Sequence, residues 1–279
     1  MYFGDILAIV EAPGESEHVL SFTERLRDQS FGSASALVVG WLPTAPLSMD
    51  AWVVNPLWGD LINRAEEDAR KVATDVAARF RKHPDRGRVE REVIDIGAAR
   101  PSIGLRARHA DISIVGRPPA AGPGASHPVL EGALFDSGRP VIAVPPNWRP
   151  GTVGRSVLVC WKPTREAARA VADAKGFLEN AEHVSIVLVD AKPNEGGYGE
   201  NPGLELTEHF TRRKIVSSLE RISSSGEGES QAVLQHAANI GADLIVMGGF
   251  GRSRLSEFIF GGLTYDMVRY SPIPLFMSH

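Results

Sequence analysis

The sequence predicts an α/β protein built from two tandem open parallel sheets. Three observations carry the prediction. Short runs rich in Val, Ile and Leu alternate with helical stretches, the pattern of a parallel sheet covered by helices. The alternation stops at PPNWRPGTVG, residues 145–154, and then restarts. An Ala-Asp pair before an apolar run occurs twice: Ala110-Asp111 precedes ISIVG, and Ala242-Asp243 precedes LIVMG 132 residues later.

The first run, DILAIV at 5–10, is short and β-branched and ends at Ala12-Pro13-Gly14. Such a run suits a strand buried on both faces. Ser16 is placed to cap a helix reaching Asp28. A second strand covers 34–41. A long helix follows over 57–82, closed by His83-Pro84, because the residue before a proline resists the helical conformation. Strand 89–96, a helix through His109, strand 111–115, a short helix over 129–136 and strand 141–144 complete the first half.

The second half opens with strand 156–161 and a helix over 164–179. Strand 183–189, a polar glycine-rich loop at 193–203 and a short helix from Leu204 come next. Strand 215–222, a turn at 223–228 and a helix over 229–240 follow. Strand 243–247, a helix over 254–270 and strand 274–277 end the chain. The units are 1–147 and 154–279, with 148–153 as linker. Their first strands align at Pro13 and Pro163, 150 residues apart. The difference of 18 residues between the two offsets falls at the longer helix of the first half. Self-similarity of this kind reads as an internal duplication.

A length of 279 residues suits two domains. A hydrophobic fraction of 43% and a charged fraction of 23% are ordinary for globular proteins. They exclude a disordered chain, a collagen and a coiled-coil rod. Thirty basic residues against 34 acidic ones argue against general nucleic-acid binding, yet one small anion held by backbone amides remains compatible. Cys160 is the only cysteine, so neither an intrachain disulfide nor a cysteine-rich zinc site is expected. Inside an apolar strand it reads as an inert hydrophobe. The eight histidines are scattered without ligand spacing, and no metal site is expected. Asp111 and Asp243 read as carboxylates capping strand starts. Arg212-Arg213-Lys214 reads as a solvated helix end. The start lacks a basic segment before an apolar core, and no apolar run approaches the ~20 residues of a membrane span. The expectation is a cytoplasmic chain with no membrane partner.

The segment that carries chemistry is MGGFGRSRLSEFIFGGLT at 247–264. It follows a buried strand and opens a helix. The carboxyl ends of parallel strands line the ligand crevice, and amides at a helix start favour anions. Gly248, Gly249 and Gly251 let the backbone approach a ligand closely. Arg252 and Ser253 add a cation and a hydroxyl. No Walker A motif, GxSxG elbow or HExxH motif is present. Nothing in the chain supplies an obvious base or nucleophile.

Gly248, two residues, Gly251, nine residues and Gly261, with ADLIVMG before and SPIPLFM as the last strand, resemble the universal stress protein family. The order of elements extends the resemblance over both halves, as a tandem type. It implies an adenine nucleotide alpha hydrolase-like, Rossmann-like fold twice over. It implies a stress-response protein binding ATP or AMP in the second half, with magnesium as a candidate companion and at most slow hydrolysis. Gly248, Gly251, Arg252, Gly261 and Gly262 would then meet phosphates or ribose. Met247 would sit by the ribose and Val189 by adenine. Ser253 and Thr264, beside Leu263, are candidate hydroxyls, because Gly262 stands where nucleotide-binding members have Ser or Thr.

Where such members often carry Asp after the first strand, this chain has Trp161-Lys162-Pro163. Two readings stay open there. Trp161 stacks on a base and Lys162 pairs with phosphate, or Trp161 packs at the strand end and Lys162 is solvated. In the first half, Pro118 and Pro119 follow Gly116-Arg117 and remove backbone donors. That half is expected to be degenerate and structural, pairing with the second as an internal pseudo-dimer. A further homodimer and an unidentified protein partner are compatible. The alternative function is an interaction or regulatory module that keeps the fold without the nucleotide.

Overall fold

The computed structural model describes residues 3–42, 56–82, 87–117, 127–226, 228–250 and 262–279. The first half runs β1 (Asp5–Ala12), α1 (Glu17–Ser30), β2 (Ser33–Trp41), α2 (Pro56–Phe80), β3 (Val89–Ile94), α3 (Ile96–Ala107), β4 (Ile112–Gly116), α4 (Pro128–Glu131) and β5 (Val141–Val144). A π-helical turn, Gly132–Asp136, continues α4. The second half runs β6 (Ser156–Cys160), α5 (Arg165–Asp173), α6 (Lys175–Asn180), β7 (His183–Val189), α7 (Leu204–Arg212), β8 (Ser217–Ile222), α8 (Glu229–Asn239), β9 (Leu244–Gly248), α9 (Leu263–Tyr270) and β10 (Leu275–Ser278).

The strands hydrogen-bond into one sheet in the order β3-β2-β1-β4-β5-β10-β9-β6-β7-β8. Each half therefore repeats one strand order outward from the shared middle. Pairing is parallel within each half and antiparallel only where β5 meets β10, with Ile142 opposite Phe276. One face buries side chains of α1, α2, α5, α6 and α7, and the other buries those of α3, α4, α8 and α9. A sheet covered on both faces explains why its strands are near-continuous apolar runs.

The duplication is visible in individual hydrogen bonds. Asp111 Oδ2 accepts from the amides of Gly4 and Asp5 at 2.8 and 3.1 Å. Asp243 accepts from those of Arg155 and Ser156 at 3.1 and 3.2 Å. Each aspartate ties the start of one central strand to its neighbour. The Arg117 amide donates to Val144 O at 2.7 Å, and the Gly249 amide donates to Ser278 O at 2.9 Å. Arg117 thus occupies in the first half the place of Gly249 in the second.

The halves also share their cores. Phe3 lies 5.7 Å from Phe177 and 6.5 Å from Phe276 between ring centroids, and Phe177 lies 6.0 Å from Phe276. Burying a ring of this kind stabilises by roughly 2–3 kcal/mol. The 148–153 segment is tied to α1: Trp148 packs on Phe22 at 5.0 Å, and Arg25 Nε donates to Gly151 O at 3.0 Å.

Some boundaries differ from the sequence expectation. β3 stops at Ile94, because Asp95 turns the chain and its carboxylate accepts from the Gly97 amide at 2.8 Å to start α3. Ser16 holds the cap position of α1 without a side-chain cap bond. The expected helix over 164–179 breaks at Ala174 into α5 and α6, a bend that carries Phe177 into the aromatic cluster. The short helix after β4 passes into π geometry at Gly132. Here α3 lies so close that a Cβ on Gly132 would stand 2.5 Å from Arg100 O. His83 and Pro84, expected to close α2, lie outside the described residues.

Candidate functional site

After β8 the chain crosses back over β6 to place β9 on its other side. The strand order reverses between β6 and β9, and ligands of open α/β sheets bind at the carboxyl ends of strands at such a point. Cys160 pairs with Met247 there, so Trp161 and Gly248 end neighbouring strands. Gly248 allows a close approach: an added Cβ would lie 2.6 Å from the Ala167 amide nitrogen and 2.8 Å from the Glu166 carbonyl carbon. The start of α5 is thereby pressed against the end of β9.

That helix start caps itself. Thr164 Oγ1 accepts from the Ala167 amide at 3.3 Å. Glu166 is buried, at 6% exposure, and Arg165 pairs with it at 3.4 Å. Burial pushes the Glu166 carboxyl up, but hydrogen bonds from its own amide, Thr164 and Arg165 outweigh burial and hold it below the usual range. The α5 start therefore already faces a carboxylate of its own chain.

The remaining wall is mixed. Trp161 is half-buried and packs on the core that holds α5, whereas Val189 packs on the opposite face of the sheet. Lys162 is exposed. Pro163 is half-buried beside the glycine-rich loop, where a Cβ on Gly197 would meet its ring at 3.4 Å. Met247 is buried, at 2% exposure. Gly262, extended at φ −172°, precedes α9, and a Cβ there would have nothing among the described residues within 4 Å. Leu263 and Thr264 form the half-buried first turn of α9. Ser230 at the start of α8 bonds Asp266 at the start of α9, at 3.3 Å, so both helices begin at the same edge. Gly251, Arg252, Ser253 and Gly261 lie outside the described residues.

Contacts from the first half reach this site without having been legible in the sequence. Phe250, at φ +47°, packs edge-on against Phe135 of the π turn at 5.4 Å. The His279 ring meets Phe135 at 4.9 Å, and its Nδ1 lies 3.0 Å from Gly249 O. Arg100 lies over the Phe135 ring at 5.4 Å while pairing with Asp136. The root of the glycine loop thus rests on the other half of the chain.

Residues 155–279 match the sequence profile of the Universal stress protein family. The second half is a universal stress protein domain. No curated protein matches the chain. A universal stress protein from Archaeoglobus fulgidus DSM 4304 is similar in structure over 97% of both chains, with TM-score 0.64 and 21% identity. A Pseudomonas aeruginosa UCBPP-PA14 protein described as a universal stress protein is similar over 98% of this chain and 92% of its own, with TM-score 0.60 and 13% identity. A functionally unknown protein from Pseudomonas aeruginosa PAO1 reaches TM-score 0.55 at 12% identity, over 98% and 92%. At these identities the likeness is one of fold, and it extends over both halves.

One constellation in the universal stress protein domain imitates a catalytic triad. Ser185 Oγ lies 3.4 Å from His236 Nε2, and His236 Nδ1 lies 3.8 Å from Glu220. Ser185 is buried mid-strand at 5% exposure, where no substrate carbonyl reaches it, so its pairing with His236 is structural. Among the described residues, no three His, Cys, Asp or Glu side chains converge as a metal site, and no helix is long and apolar enough to cross a membrane.

Proposed function

We propose that the universal stress protein domain binds an adenine nucleotide, ATP or AMP, at the carboxyl ends of β6, β7 and β9. The carrying observation is the position of Gly248: it ends a strand at the point of reversed strand order, pressed against the start of α5. The family and the fold support a stress-response role.

The residues fit such a ligand in part. The Gly249 amide is already donated to Ser278 O, so phosphate contacts would fall to Gly251, Arg252, Ser253, Gly261, Gly262, Leu263 and Thr264. Lys162 is exposed at the strand end and supplies a further cation, which lessens the need for a companion magnesium ion. Adenine would lie against Val189, with the ribose near Met247 and Gly248. The self-capped start of α5 leaves the glycine loop as the anion cradle. The two halves serve as an internal pseudo-dimer within one chain.

Calorimetric titration with ATP and magnesium tests the reading. The expected result is one site per chain, lost in Gly251→Asp. Two sites would bring the first half into nucleotide binding. Absence of binding, with no nucleotide released by acid extraction, would favour an interaction module, a reading that the packing of Trp161 into the core supports.

A further inference from the structure

We propose that the first half binds a small oxyanion through the guanidinium of Arg117, at its own point of strand reversal between β1 and β4. The residue directly follows β4 in the place that Gly249 holds after β9 in the other half. There the chain has exchanged a backbone cradle for a side-chain cation. Arg117 Nε and Nη1 are shielded from solvent and have no hydrogen-bond partner among the described residues. Burying donors of a charged group without an acceptor is costly, and each of these N–H groups can make a charge-assisted hydrogen bond to a carboxylate or phosphate oxygen.

The neighbours leave that charge uncompensated. Glu11, near the end of β1, is the carboxylate placed to answer it. Its Oε2 instead accepts from Trp41 Nε1 at 2.9 Å, and its Oε1 lies 3.4 Å from His127 Nε2. His18 stands across Gly116, whose added Cβ would meet the imidazole Nε2 at 3.1 Å. Burial pushes the His18 pKa down, and the charge of Arg117 pushes the same way against Glu15 and Glu17. His18 is therefore neutral at pH 7, with ring nitrogens able to hydrogen-bond a ligand held by Arg117. Pro118 and Pro119 directly after Arg117 lack amide hydrogens, so a side chain is the donor the sequence retains at this point.

The test is thermal unfolding of the full chain in chloride buffer, with inorganic phosphate or acetate added to wild type, Arg117→Met and Gly251→Asp. A ligand at a hundredfold excess over its Kd is expected to raise the wild-type Tm by about 5 °C. Arg117→Met should lose that rise while unfolding no lower than wild type without the anion, because it removes a half-buried cation whose Nε and Nη1 lack an acceptor. Gly251→Asp should keep it. A response to phosphate alone assigns a phosphate group, and an equal response to acetate assigns the carboxylate class as well. As a readout that does not depend on a variant folding, the Arg117 Nε resonance of wild type should shift during the titration. An unshifted resonance with either anion, or a Tm response that survives Arg117→Met and disappears in Gly251→Asp, overturns the proposal.

Discussion

Gly248 and Ala167 are in such close apposition that a Cβ on the glycine would lie 2.6 Å from the alanine's amide nitrogen. Both partners are backbone at the point of contact, so neither has a flexible end to move aside. Gly248→Ala is expected to force β9 and α5 apart, at a cost of about 1–3 kcal/mol. Gly262 is the contrasting case, being extended with none of the described residues within 4 Å of an added Cβ. Gly262→Ser should leave stability within about 0.5 kcal/mol, since serine is at least as good as glycine at a helix cap, and, if the proposed nucleotide site is right, should tighten ATP binding by supplying the hydroxyl that the sequence resemblance implies at this position. Urea midpoints and calorimetry on the two variants check both statements. A silent Gly248→Ala would refute the packing account.

Thr164 and Glu166 cap α5 from within, and nucleotide binding is expected to be indifferent to them. Thr164→Ala should cost about 1 kcal/mol of stability, the ordinary loss of a helix cap, with ATP affinity changed less than twofold. The Glu166 carboxyl is held below its ordinary value of 4.5. Its contribution is therefore present above that value and is lost as pH falls through the folded-state value. Glu166→Gln should flatten that part of the acid limb of the stability–pH curve.

Asp5 works in the opposite sense. Burial first, and the charge of Asp111 second, push its carboxyl above the ordinary 3.8. Such a group contributes stability that is full below its unfolded-state value and is lost as pH rises through the folded-state value. The corresponding position of the second half is Ser156, whose amide likewise donates to an aspartate, Asp243. Asp5→Ser should raise Tm at pH 7, with the gain shrinking toward pH 3. Equal Tm differences at both pH values would exclude this electrostatic origin.

Removing the first half should expose the edge of β10 together with Phe276. An unpaired flat edge recruits another strand. Residues 154–279 alone are expected to self-associate, measured as a dimer or larger species by light scattering coupled to size exclusion. A stable monomer of that fragment would show that the β5–β10 pairing is dispensable.

Cys160 is buried in β6, and burial pushes its thiol up to about 12. Thiolate is the reactive form, so native protein at pH 8 should resist a thiol reagent such as iodoacetamide, while urea-unfolded protein reacts fully. Rapid labelling of the native chain would place Cys160 outside the core.

The alternation of strands and helices, the duplication and the glycine-rich loop after β9 were legible in the amino-acid order. Each rests on local signals: β-branched apolar runs buried on both faces, helical periodicity, and glycine where backbone must approach backbone. The helix break at Ala174 and the π turn at Gly132 were not legible, because packing of Phe177 and of α3 decides them. The same is true of the site. Gly248 was readable from its context, whereas Phe135, His279 and the buried donors of Arg117 were not. The sequence by itself determined two similar α/β halves and a glycine-rich segment following the strand that ends at Gly248. Only the tertiary structure decided that β5 and β10 pair antiparallel into a single sheet, that the loop root rests on the first half, and that Nε and Nη1 of Arg117 have no acceptor among the described residues. Those outcomes depend on residues brought together from more than a hundred positions apart, and edge pairing and burial of that range leave no periodic trace in the chain.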